Sequence, residues 1–203
     1  TVTGPTVATS ATGGSVSAAA PGGEPMPVGD LPHWKQIFRD DFTTEVPRGA
    51  FPGPYAPTWT AYDGFHDTFD TAYYDQGAIS VRDGMMELHL HTENGRPIGA
   101  APAPILTEPW RGQTYGRYSI RFKSDELPGY KAAWMLWSQD DHWNDGEVDF
   151  PEGYLDGTMW GFNHCVGNPR LNCYRLDTGT MFTDWHTATI EWSPGRITYL
   201  LDG

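Results

Sequence analysis

From residue 33 onward the chain is written in short segments that alternate apolar and polar residues, each closed by Gly, Pro, Asn or Asp. Tyr118, Ile120 and Phe122 alternate with Ser119, Arg121 and Lys123. Ala78 to Val81, a turn at Arg82-Asp83-Gly84, and Met86 to His91 predict one β-hairpin; Thr187 to Glu191, Ser193-Pro194-Gly195 and Ile197 to Leu201 predict another. Side chains two apart share a face only in a strand, so a period of two commits the chain to sheets. No segment keeps a helical period. Many short strands joined by tight turns point to an all-β domain, a β-sandwich in preference to a barrel. Asp202-Gly203 is itself a turn signal, so a further strand is expected beyond the end of this sequence.

Residues 1–30 differ from the rest. They hold no aromatic residue and no Lys or Arg, with Glu24 and Asp30 as their only charges. Such a stretch buries too little apolar surface to offset its ordering entropy and reads as a flexible linker or tail, with one domain over residues 31–203. The chain begins at Thr1 rather than Met, which fits a removed leader and an extracellular protein. No apolar run approaches the ~18 residues a membrane helix needs, so no membrane association is expected. With 26 acidic side chains against 13 Lys and Arg, the formal charge of −13 disfavours nucleic acid as a partner and suits a neutral one. Nine Trp, ten Tyr and nine Phe supply flat apolar faces, for a core and for sugar rings. Cys165 and Cys173 flank Gly167-Asn168-Pro169, and a disulfide closing that turn is predicted, consistent with an oxidising compartment.

The chemistry is concentrated in Gly146-Glu147-Val148-Asp149-Phe150-Pro151-Glu152-Gly153. In a strand Glu147 and Asp149 share a face while Val148 and Phe150 turn to the core. Glu152, five positions from Glu147, would fall on the wrong face of a regular strand. A β-bulge, for which the N–H-less Pro151 is suited, would bring it back. Four strand steps of ~3.3 Å then separate the two Cα atoms by ~13 Å, and converging side chains could bring the carboxyls to ~5 to 6 Å. That separation suits retaining glycoside hydrolysis, in which one carboxylate attacks and the other carboxyl gives and takes a proton. Asp149, between them, would add negative charge that keeps Glu152 protonated while Glu147 stays ionised. Three carboxylates also suit a hard cation, although Val148, Phe150 and Pro151 deny the loop oxygens that calcium collects. The reaction itself requires no cofactor. Trp134, Trp137 and Trp143 flank the acids and are candidate sugar-stacking residues.

Several segments together resemble glycoside hydrolase family sixteen, the laminarinase-like endo-β-glucanases. They are Asp40-Asp41-Phe42, Ile79 to Gly84, Tyr115-Gly116-Arg117 through Lys123, Ala133-Trp134-Met135-Leu136, the bulged Glu147 to Glu152 signature, and Trp185-His186 through Glu191-Trp192 to Leu201-Asp202-Gly203. The resemblance implies a concanavalin-like jelly roll with a substrate cleft along its concave face, and it lacks the family's last strands. It implies Glu147 as nucleophile, Asp149 as its assistant and Glu152 as acid/base. It also implies Trp143 stacked on a sugar and His164 touching the acid/base from the next strand, with no catalytic metal, though a structural calcium ion is left open. The expected activity is endo-hydrolysis of a polysaccharide, β-1,3-glucan first, by a secreted monomer. A transglycosylase, a galactan-active relative and a non-catalytic carbohydrate-binding domain stay open as alternatives. The sequence departs from the family at Ala78, where Asn is usual, and at Tyr130-Lys131-Ala132, where Trp-Pro-Ala is usual.

Overall fold

The computed structural model describes residues 26–203. The predicted tail therefore lies almost wholly outside the described residues; residues 26–30 carry no regular structure and lead to an isolated bridge between Leu31 and Trp34. The remainder is strands: β1 (Trp59–Ala61), β2 (Phe65–His66), β3 (Tyr73–Tyr74), β4 (Ile79–Arg82), β5 (Met85–Leu88), β6 (His91–Glu93), β7 (Arg96–Gly99), β8 (Pro102–Pro104), β9 (Gly116–Phe122), β10 (Lys131–Leu136), β11 (Glu147–Tyr154), β12 (Thr158–Cys165), β13 (Asn168–Met181), β14 (His186–Ser193) and β15 (Arg196–Leu201). Only single 3₁₀ turns interrupt them among the described residues, and no helix there is long and apolar enough to cross a membrane.

The sandwich is made by two antiparallel sheets, β10-β11-β12-β13 and β15-β14-β9. Their facing sides interdigitate: Trp134, Val148, Phe150 and Met159 from the first meet Phe122, Ala188, Ile190 and Tyr199 from the second, around Phe182. Gly161 on β12 is needed here, because a Cβ would lie 3.2 Å from Phe150 and 3.3 Å from Tyr199. Its absence lets both rings lie against the strand, and the Tyr199 hydroxyl donates to the Phe162 carbonyl at 2.7 Å, tying the two sheets together. A smaller core of Val46, Phe51, Tyr55, Ile79 and Val81 packs beside β4, and a third sheet, β2-β3-β7-β6, completes the molecule with β1 paired to β8.

The predicted hairpins form at β4–β5 and β14–β15. Asp83 (φ 53°) and Gly84 (φ 75°) give the first the left-handed pair that a two-residue hairpin turn requires. Its second strand is shorter than the alternation suggests. It ends at Leu88: after a last bond from the His89 amide to the Ala78 carbonyl, the Leu90 amide turns back to the Leu88 carbonyl, its side chain packs on the main core, and His91 begins a new strand.

Candidate active site

β11 carries the acids, and its pairing shows which way each one points. Glu147 lies opposite His164 on β12, Asp149 opposite Phe162, and Glu152 opposite Trp160. Residues directly opposite in an antiparallel pair share a face, and Trp160, Phe162 and His164, being two apart, share one with each other. All three acids therefore stand on the outer side of the sheet. Six residues of β11, Glu147 to Glu152, are matched to five of β12, His164 to Trp160, because the register shifts between Asp149 and Glu152 at Phe150-Pro151. The same extra residue shows against β10, where Met135 faces Asp149 and Ala133 faces Glu152. Phe150, on the other side, is buried in the core.

The three carboxyls have different surroundings. Glu147 Oε2 accepts the indole N–H of Trp143 at 2.6 Å and has His164 Nε2 at 4.0 Å. Trp143 opens a 3₁₀ turn, Trp143–Asp145, that swings its ring back over the start of β11. Gly146, at φ 103° and with Val166 3.1 Å from where a Cβ would be, makes that swing feasible. Asp149 is 0% exposed, and neither oxygen meets a donor at hydrogen-bonding geometry. Burial, with the Glu147 and Glu152 charges beside it, pushes its carboxyl up to about 9. A proton retained there resolves the orphaned oxygens, since a protonated Asp149 can donate to Glu147. Glu152, its side chain 12% exposed, pairs with the ammonium of Lys131.

His164 and the disulfide form one unit. Cys165 and Cys173 are bonded, with Cα atoms 5.0 Å apart. The turn proper is Val166-Gly167, and β13 begins at Asn168, ahead of Pro169. Inside this loop the Pro169 carbonyl accepts from His164 Nδ1 at 2.7 Å, so that nitrogen carries the hydrogen and Nε2 faces the acids, 3.5 Å from Asp149 Oδ2. Gly167 donates to the Asn144 carbonyl at 2.7 Å, joining the disulfide loop to the Trp143 turn. A pocket of about 590 Å³ lies between the two loops, lined in part by Trp143, Asn168 and Arg170. Along β12 the Trp160 and Phe162 rings lie parallel at 6.0 Å, and Phe162 and His164 follow at 6.1 Å, a row of flat faces beside the row of acids.

The model of glycosyl hydrolases family 16 matches residues 66–203 of this chain. The chain belongs to glycosyl hydrolase family 16. A β-glucanase of Rhodothermus marinus is 27% identical over 193 residues, covering 84% of this chain; the chain spans 64% of that protein's length. Among solved structures, the Bacillus licheniformis β-glucanase superposes with a TM-score of 0.60 at 17% identity, over 79% of this chain and 73% of that one. β-Agarase B of Zobellia galactanivorans gives 0.58 at 16%, over 80% and 61%. A Mycobacterium tuberculosis protein described as an immunostimulatory antigen and pseudo beta-1,3-glucanase gives 0.60 at 21%, over 82% and 71%. These likenesses show the fold, a jelly-roll β-sandwich.

Within this family 16 fold, the sequence-derived site needs three corrections. Trp134 is not a cleft residue. It lies between Ala133 and Met135, which face the acids, so alternation turns it inward, where its ring meets Phe122 at 4.7 Å. Trp137, just past β10 and two residues after Met135, donates to Asp141 Oδ1 at 2.8 Å in the loop leading to Trp143. His164 touches Asp149 and Glu147 rather than Glu152, because register sets it opposite Glu147. Asp149 is not simply a charged neighbour of Glu152, because burial, with the charges beside it, raises its own carboxyl, the one of the three that is fully buried.

Three residues of the family 16 site escaped the sequence reading. Trp160 and Phe162 were visible in the alternation Trp160-Gly161-Phe162-Asn163-His164, once His164 was placed on the acids' face. Lys131 was visible only as a departure from the family pattern, and its reach to Glu152 depends on pairing between strands. Glu147, Asp149 and His164 each offer a ligand atom within 4.8 Å of the others, so this cluster could hold a metal ion. Its imidazole and single buried aspartate are a poor match for calcium, which takes six to eight oxygens.

Proposed function

We propose that this chain is a retaining endo-glycosidase that cuts internal β-linkages of a polysaccharide, with β-1,3-glucan as its preferred substrate. The reading is carried by the bulge in β11, which sets Glu147 and Glu152 on one face with a buried, proton-retaining Asp149 between them. Glu147, ionised and oriented by Trp143, attacks the anomeric carbon as Glu152 protonates the departing oxygen. Water then opens the glycosyl ester as Glu152 takes back a proton. Asp149 donates to Glu147 and steadies it through both steps. Trp160, Phe162 and Trp143 supply flat apolar faces for sugar rings. The β-glucanase relative supports a glucan substrate, while the agarase among the fold neighbours keeps galactan as a variant.

The disulfide supports a secreted protein, and the chain is proposed to act as a monomer. A second reading, a non-catalytic carbohydrate-binding domain, is favoured by the fold neighbour described as a pseudo β-1,3-glucanase. The deciding experiment offers laminarin, lichenan, agarose and arabinogalactan to the protein and sizes the released oligosaccharides. Mid-length products from laminarin are expected. Binding of a polysaccharide without release of any product would establish the second reading.

A further inference from the structure

Lys131 opens β10 and shares its outer face with Ala133 and Met135. Ala133 lies directly opposite Glu152, and its small side chain leaves a path for the longer Lys131 stem to cross diagonally to the Glu152 carboxylate. The two partners are unequally covered: the Lys131 side chain is 48% exposed and that of Glu152 12%. The ammonium thus stands between the acid and the open cleft. It carries three hydrogens, and Glu152 Oε1 is its only ion-pair or hydrogen-bond partner among the described residues.

Resting on the acid/base role proposed above for Glu152, we propose that Lys131 is a positioning residue on the leaving-group side of the scissile bond. It holds the Glu152 carboxylate in place and offers its remaining hydrogens to hydroxyl oxygens of the departing sugar. In the first half-reaction the proton of Glu152 moves to the glycosidic oxygen, the bond from that oxygen to the anomeric carbon breaks, and a bond to Glu147 forms. Glu152 is left as a carboxylate beside a cation, a charge the ammonium stabilises as it develops. In the second half-reaction a water proton returns to Glu152, the water oxygen bonds the anomeric carbon, and the Glu147 ester opens. Lys131 keeps its own protons throughout.

The test compares two glycosides with the same glycone, one with a sugar as leaving group and one with 2,4-dinitrophenolate, which departs without a proton and makes no sugar contact. Lys131→Met is expected to lower kcat/KM for the sugar leaving group by about 10- to 100-fold, part of what a positioned acid contributes. The loss on the dinitrophenyl glycoside is expected to be at least about tenfold smaller, and Lys131→Arg, which keeps the cation, is expected to recover most of the sugar-leaving activity. Equal losses on both glycosides would reveal a merely structural lysine and overturn the proposal, as would no loss on either. A wild-type protein inactive on both would sink the hydrolase reading and this proposal with it.

Discussion

The two ends of the acid row on β11 are built differently. At the Glu147 end the carboxylate has several supports: the Trp143 indole donates to it, His164 stands near it with its ring fixed by Pro169, and the disulfide loop braces both. At the Glu152 end one half-exposed lysine does the holding. The contrast matches the work proposed for each. A nucleophile must present the same oxygen in one direction, which favours rigid donors. An acid/base changes protonation twice in each cycle, and a flexible ammonium can follow it.

The largest effect should come from removing either acid. Glu147→Ala is expected to reduce turnover of laminarin by at least about 10⁴-fold, as is Glu152→Ala. The two should part company on a dinitrophenyl glycoside: Glu152→Ala forms a glycosyl-enzyme visible as added mass on the intact protein, and Glu147→Ala does not. An adduct on the Glu147 variant would refute the assignment of the two ends.

Next in size are the supports of Glu147. Trp143→Phe keeps a ring for stacking and loses the N–H to Glu147, a hydrogen bond to a charged group worth about 1.5 to 3 kcal/mol. A fall in kcat of about 10- to 100-fold is therefore expected, with KM changed far less. A change confined to KM would mean that Trp143 serves sugar binding alone. Replacing Cys165 and Cys173 together by Ser should lower stability by roughly 2 to 3 kcal/mol, from the entropy of the short loop. It should also reduce kcat by about tenfold at temperatures where the fold persists, as Trp143 and His164 lose their brace. Full activity in the folded double variant would detach the loop from the site.

The smallest effect tests the group between the ends. Asp149 titrates near 3.8 when unfolded and is pushed to about 9 in the folded protein, so between those values the folded state holds a proton that the unfolded state has lost. Stability contributed at this position falls as pH rises through that window. Asp149→Asn, which cannot ionise and can still donate to Glu147, should melt several degrees above wild type at pH 8 and lose that advantage near pH 4. Parallel melting curves at both pH values would show that Asp149 is not buried as described.

Much of this comparison was legible in the residues themselves. The inward turn of Val148 and Phe150, the return of Glu152 across Pro151, the hairpin turn at Asp83-Gly84 and the pairing of Cys165 with Cys173 all follow from spacing and local backbone chemistry. What stayed hidden depended on register between strands distant in sequence. In Trp134-Met135-Leu136-Trp137 nothing local says which aromatic faces the acids; that is settled where Met135 meets Asp149. The placing of His164 against Glu147 and the reach of Lys131 to Glu152 have the same origin. The burial of Asp149 is collective, the sum of neighbours from three strands, and no spacing rule contains it.

The extra residue at Phe150-Pro151 makes catalytic competence a matter of parity. Deleting the bulged residue would leave four regular strand steps and keep both glutamates on the outer face, whereas inserting one, or deleting one while the bulge persists, would exchange inside for outside and aim a carboxylate into the oily interior. A library of length variants could read this rule out directly.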